Sequence, residues 1–154
     1  MCNAEKKNIL ISACLLGHPC RYDGRSKPCG KVMALAEEYN LIPICPEVLG
    51  GLPTPRVPSE IVGDRVLMRD GRDVTENYRR GAERALEIAA ENGCTVAILK
   101  SRSPSCGKGE VYDGTFSGTL TDGDGIATKM LSDAGILVLT EETFESFLRK
   151  KCVM

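Results

Sequence analysis

The sequence predicts an α/β protein: one mainly parallel sheet covered by helices on both faces, with a small hairpin inserted, in a single domain spanning residues 1–154. Three observations carry this. Short apolar runs alternate along the chain with segments of helical period. The runs are continuous instead of alternating with polar residues, as expected of strands buried on both faces. The length, 154 residues, suits one domain that buries about two-thirds of its unfolded surface.

The elements follow in order. Asn8–Ala13 reads as a buried strand, and Lys31–Tyr39, with Val32, Leu35 and Ala36 at helical spacing, as a short helix. Leu41–Ile44 is a second strand, and its Pro43 places it near an edge or at a strand start because proline cannot donate to a ladder. Ile61–Met68, turning at Gly63-Asp64, is the hairpin. Asp73-Val74-Thr75-Glu76 has the pattern of a capping box. It opens a helix with Val74, Tyr78, Ala82, Ala85, Leu86 and Ala89 on one stripe, and Gly93 closes that helix. Thr95–Leu99 is a third strand, Gly125–Ala134 a helix, and Ile136–Leu139 a strand. Glu141–Lys150 is a last helix, with Phe144, Phe147 and Leu148 inward.

Composition excludes several functions. Hydrophobic residues at 42% and charged residues at 27% describe a folded globular chain. A net charge of −1 gives no electrostatic basis for general nucleic-acid or membrane-surface binding. With no Trp and 5% aromatics, a stacking platform for single strands is not expected. Met1–Lys7 has no apolar signal-peptide core, and no run reaches the roughly 18 apolar residues that span a bilayer. The expectation is a cytoplasmic protein.

In that compartment disulfides are rare, so eight cysteines call for another explanation. Strand one runs into Cys14, strand two into Cys45, and strand three into the loop that holds Cys106. Ligands of open parallel sheets bind beyond the carboxyl ends of the strands, so these three thiols are expected to converge. Cys2 and Cys152 lie at the termini, Cys94 at a helix end, and Cys20 and Cys29 in the first long loop. Three soft thiolates suit zinc or an iron–sulfur cluster, and on a four-iron cluster they leave one iron open. No Cys-x-x-Cys knuckle is present, which argues against structural zinc. The residues alone leave a plainer reading open: small buried hydrophobes.

The same loops carry further chemistry. Cys45–Arg56 holds two Gly and three Pro, too many for a helix or strand, and its Glu47 is a candidate general base or a solvated loop carboxylate. Lys100–Gly107 surrounds a thiol with hydroxyls and cations, which can hold a polar planar ligand; a flexible polar loop is the alternative. Other motifs fail. Gly107-Lys108 lacks the upstream glycine of a phosphate loop, because residue 102 is Arg. Gly123-Asp124-Gly125 would need its third glycine at Thr128. The single histidine, His18, has no evident orienting partner.

Taken together, Ser12–Gly17, Cys20–Gly24, Cys45-Pro46-Glu47, Gly50–Arg56, Lys100–Gly107 and Tyr112–Phe116 resemble a bacterial family long filed as a domain of unknown function, whose characterised members are thiouracil desulfidases. The resemblance covers residues 8–140. It implies a Rossmann-like domain with an oxygen-sensitive 4Fe–4S cluster held by Cys14, Cys45 and Cys106. It implies removal of sulfur from a thiolated pyrimidine such as 4-thiouracil or 2-thiouracil, giving the oxo-pyrimidine and hydrosulfide without electron transfer, with the substrate sulfur on the open iron. It also implies acid/base work by Glu47 and by a serine of the Lys100–Gly107 loop, here Ser103, with Ser101 as the second candidate. Two other classes remain as alternatives: a sulfur carrier without turnover on free thiouracil, and a zinc-stabilised ligand-binding module.

Overall fold

A computed structural model describes residues 6–153, the backbone alone from residue 149 onward. Cys2, and the side chain of Cys152, lie outside the described residues. Four parallel strands form the sheet in the order β2-β1-β5-β8: β1 (Lys7–Ser12), β2 (Tyr39–Ile44), β5 (Val96–Leu99) and β8 (Leu137–Thr140). Pro43 sits in the edge strand β2, opposite Ile11 of β1. Two antiparallel hairpins stand apart from the sheet: β3–β4 (Ser59–Val62 and Arg65–Met68) and β6–β7 (Glu110–Tyr112 and Leu120–Asp122). The first is the expected hairpin, while the second escapes the sequence pattern because its strands are three residues each and largely exposed.

Side-chain alternation along the strands divides the core into two layers. Leu10, Ala97, Leu99 and Val138 pack with Ala85 and Ala89 of α3 (Thr75–Glu91) and Leu131 of α4 (Ile126–Asp133). Ile9, Ile11, Ile98 and Leu139 pack with Val32 of α1 (Gly30–Met33) and with Phe144 and Leu148 of α5 (Phe144–Val153). Both sheet faces are therefore covered, which explains why the strands read as continuous apolar runs. Among the described residues no helix is long and apolar enough to cross a membrane.

Several boundaries differ from the expectation. The helix over 31–39 is a single α-turn, α1, followed by a 3₁₀ turn over Ala34–Glu37, because β2 claims Tyr39 for pairing with Lys7. The Asp73–Glu76 box does not form. Asp73 Oδ1 instead accepts from the N–H (2.9 Å) and hydroxyl (2.6 Å) of Thr75, while Glu76 pairs with Arg79. At the other end Gly93, at φ +61°, closes α3 as expected; Cys94 N–H reaches Ala89 O and Gly93 N–H reaches Ala90 O, the paired bonds of a Schellman motif. The last helix begins at Phe144 instead of Glu141, and Phe147 faces solvent at 50% exposure because, among the described side chains of this helix, Phe144 and Leu148 are the ones that meet the sheet.

One departure bears directly on function. Residues Pro46–Leu49, expected as irregular, form a helical turn, α2, that lies against α3. Pro46 stands in its first turn, where proline is tolerated. The approach is closer than side chains would permit. A Cβ on Gly81 would lie 1.8 Å from Pro46 O, and one on Gly50 would lie 1.9 Å from Asn77 O. Asn77 Nδ2 (2.9 Å) and an Arg80 guanidinium nitrogen (3.1 Å) then donate to Gly50 O and finish the turn. Gly81→Ala is expected to push α2 off α3 and to cost about 1–3 kcal/mol, read as a lower urea midpoint. An unchanged midpoint would show that the two helices separate freely.

Candidate active site

The chain leaves β1 toward β2 on one side and crosses back to β5 on the other, so the sheet's order reverses between β1 and β5. Clefts at such switch points are the usual ligand sites of open α/β sheets. Here the cleft is tied by one hydroxyl. Lys100 N–H, just after β5, donates to Ser12 Oγ at the end of β1 (2.9 Å), and Ser12 Oγ donates to Cys106 Sγ (3.4 Å).

Above this tie lies a cavity of about 580 Å³. Cys14 enters it from the 3₁₀ turn Ala13–Leu16, Cys45 from the residue before α2, and Cys106 from the loop after β5. The three loops meet as the strand ends require. A fourth thiol, Cys20, lines the cavity and contacts the thiols of Cys14 and Cys45. Cys94 packs in the α3–α4 layer, and Cys29 borders a smaller neighbouring groove. All six cysteines with described side chains are free.

Burial pushes the Cys106 thiol up to about 11, against hydroxyl contacts from Ser12 and Ser105 that favour thiolate. Contact with Cys20, then burial, raises Cys45; contact with Cys14 raises Cys20. Such thiols ionise when a metal displaces their protons. Among the described residues no group of three or more His, Cys, Asp or Glu is spaced to hold one metal ion. Thiols gathered on one cavity are the soft donors that iron–sulfur clusters take. The donor set and the room both fit a cluster held by Cys14, Cys45 and Cys106.

Glu47, second residue of α2, is carried to the cavity by the α2–α3 contact. Its Oε1 accepts from Arg56 Nε (2.9 Å), and its Oε2 from Ser105 Oγ (3.1 Å). Arg56, 3% exposed at its side chain, also donates to Pro53 O, Thr54 Oγ1 and Cys20 O, so one guanidinium joins the carboxylate to two loops. The Tyr78 phenol bonds both Glu47 and Ser59. Burial first, and the Glu47 charge second, hold that phenol well above its ordinary pKa, so it stays a proton donor.

The two serine candidates occupy different networks. Ser103 Oγ accepts from Cys106 N–H (2.7 Å) and lies 3.3 Å from Ser105 Oγ, which continues to Glu47 and sits 3.5 Å from Cys106 Sγ. Ser103, Ser105 and Glu47 therefore form one chain of proton-bearing groups. Ser101 also lines the cavity, but its N–H (2.8 Å) and hydroxyl (2.9 Å) both donate to Glu141, which pairs with Lys100 Nζ at 3.0 Å. Burial works against the Glu141 carboxylate, yet the Ser101 and Lys100 contacts outweigh it and hold its pKa below the usual value. Sequence reasoning did not single out Ser105, Tyr78 or Glu141. Arg56 lies in the Gly50–Arg56 segment, whose sequence alone assigns it no chemical role. His18 sits in the loop after the Ala13–Leu16 turn and is not in the cavity wall.

Fold and site together define an α/β protein with a thiol-lined pocket at the switch point of a parallel sheet. The sequence model of the 2-thiouracil desulfurase family matches residues 9–143, and the chain belongs to that family. Among solved structures it is similar to the [4Fe-4S]-dependent thiouracil desulfidase TudS, at 43% identity and a TM-score of 0.90, covering 97% of this chain and 100% of that one. Among curated proteins it is 40% identical over 150 residues to the uncharacterized protein YbbK of Bacillus subtilis (strain 168), covering 91% of this chain and 99% of the relative.

Proposed function

We propose that the protein, acting as a single domain in the cytoplasm, removes sulfur from thiolated pyrimidines of the 4-thiouracil and 2-thiouracil type. The products are the oxo-pyrimidine and hydrosulfide. Water supplies the oxygen and the proton balance closes without electrons, so no redox partner is invoked. The observation that carries the reading is the convergence of Cys14, Cys45 and Cys106 on one cavity beside the Glu47–Ser105 pair. Membership of a desulfurase family and likeness to a [4Fe-4S]-dependent enzyme support it.

In this reading Cys14, Cys45 and Cys106 hold a 4Fe–4S cluster, which supplies a soft Lewis acid for the thiocarbonyl sulfur. Glu47 takes a proton from the attacking water. Ser105, hydrogen-bonded to the Glu47 carboxylate, passes protons between it and Ser103. Arg56 and Tyr78 fix the carboxylate's direction. Ser105→Ala is expected to lower turnover about tenfold, the worth of one well-placed hydrogen bond. Ser101→Ala should change it less, since that hydroxyl serves Glu141. The reverse ranking would move the relay to Ser101.

The test is anaerobic reconstitution with iron and sulfide, followed by incubation with 4-thiouracil. Uracil and sulfide released together, over many turnovers, support the reading. A single equivalent of sulfide, or none, points instead to a sulfur carrier.

A further inference from the structure

The two hairpins supply the part of the cavity wall that carries no thiol, and they present one residue in an unusual way. Phe116, in the turn between β6 and β7, lines the cavity at φ +55°, in the left-handed region that residues with a Cβ avoid. Glu60 of β3, 8% exposed, holds it there. Its Oε1 accepts both Gly114 N–H (2.9 Å) and Phe116 N–H (3.1 Å). Gly114, at φ +92°, lets the turn press on β3, where a Cβ would lie 2.7 Å from Ile61 O. The Arg69 guanidinium sits over the Phe116 ring, 5.9 Å from its centroid. A buried carboxylate and a close glycine contact thus hold one aromatic ring at the cavity wall in a backbone conformation that it would not choose. Residues held in sparsely populated conformations gather at ligand clamps. Tyr22, Tyr78 and Tyr112 also line the cavity, but of these four rings Phe116 is the one whose backbone is held at positive φ by a buried carboxylate.

We infer that Phe116 is the stacking surface for the pyrimidine ring, and that Glu60 is the positioning residue that presents it. This rests on the proposed pyrimidine substrate and adds the residue that orients it. A ring stacked on Phe116 has its rotation restricted to one plane, within the cavity that the thiol-bearing loops share. Every base has a π-face, so stacking gives orientation and affinity without distinguishing 2-thio from 4-thio substrates.

The experiment compares wild type, Phe116→Leu, Phe116→Trp and Glu60→Ala in the reconstituted protein. It measures KM and kcat for 4-thiouracil and, by calorimetry, the Kd of the product uracil. Phe116→Leu keeps volume but loses the ring, so KM and Kd should rise about 5- to 100-fold, with kcat and cluster absorbance near wild type. Phe116→Trp should restore both constants. Glu60→Ala should raise them as Phe116→Leu does, and the double variant should add little, because both changes remove one interaction. Unchanged KM and Kd in Phe116→Leu, or a fall in kcat alone, would overturn the inference. The uracil measurement decides it whether or not wild type releases sulfide, so failure of the stacking claim is distinguishable from failure of the desulfidase reading.

Discussion

Glu47→Gln is expected to retain the absorbance of the reconstituted cluster and lose turnover by about 100- to 10,000-fold, the usual worth of a positioned general base. The substitution is close in shape. The amide oxygen can still accept from Arg56 Nε, and the Ser105 hydroxyl can reverse its role and accept from the amide nitrogen. What disappears is the capacity to take a proton at the one carboxylate that reaches both Ser105 and Arg56. Normal turnover in this variant would remove Glu47 from the chemistry and leave it as a tether between α2 and the Arg56 loop.

The second large effect separates ligands from bystanders. Cys14→Ser, Cys45→Ser and Cys106→Ser should each abolish the cluster's visible absorbance. Cys94→Ser should leave it intact, because that side chain lies in the α3–α4 layer of the core. Cys20→Ser is the sharper control. Its thiol lines the same cavity and touches Cys14 and Cys45, yet it rises from the 17–29 loop and not from the end of a strand. Retention of absorbance in Cys20→Ser would confine the ligand set to the three strand-end loops. Loss of absorbance there, with retention in any one of the other three, would redraw it.

Much of this arrangement was legible because its cause is local. The β1, β5 and β8 runs are continuous and apolar, so their burial on both faces, and hence a parallel sheet, could be read directly. Once the strands were placed, the cysteines that follow them had to gather at one end. The features that escaped depend on contacts distant in sequence. Residues 46–49 turn into a helix because Gly81, more than thirty positions away, leaves room for Pro46 O. Ser105 matters through Glu47, and Tyr78 reaches the same carboxylate from the first turns of α3. The β6–β7 hairpin has too few residues per strand to show a period, and it is held by Glu60 from another hairpin. Phe147 differs from the expectation for a related reason: α5 packs through Phe144 and Leu148, one turn apart, and Phe147 between them is left to solvent.

The most direct measurement is a crystal structure of anaerobically reconstituted protein, with anomalous scattering recorded at the iron edge. Iron density should fill the cavity between β1, β2 and β5, bonded to the sulfurs of residues 14, 45 and 106 and to no fourth side chain. Iron bound elsewhere, or the same cavity closed by a fourth cysteine ligand, would contradict the account.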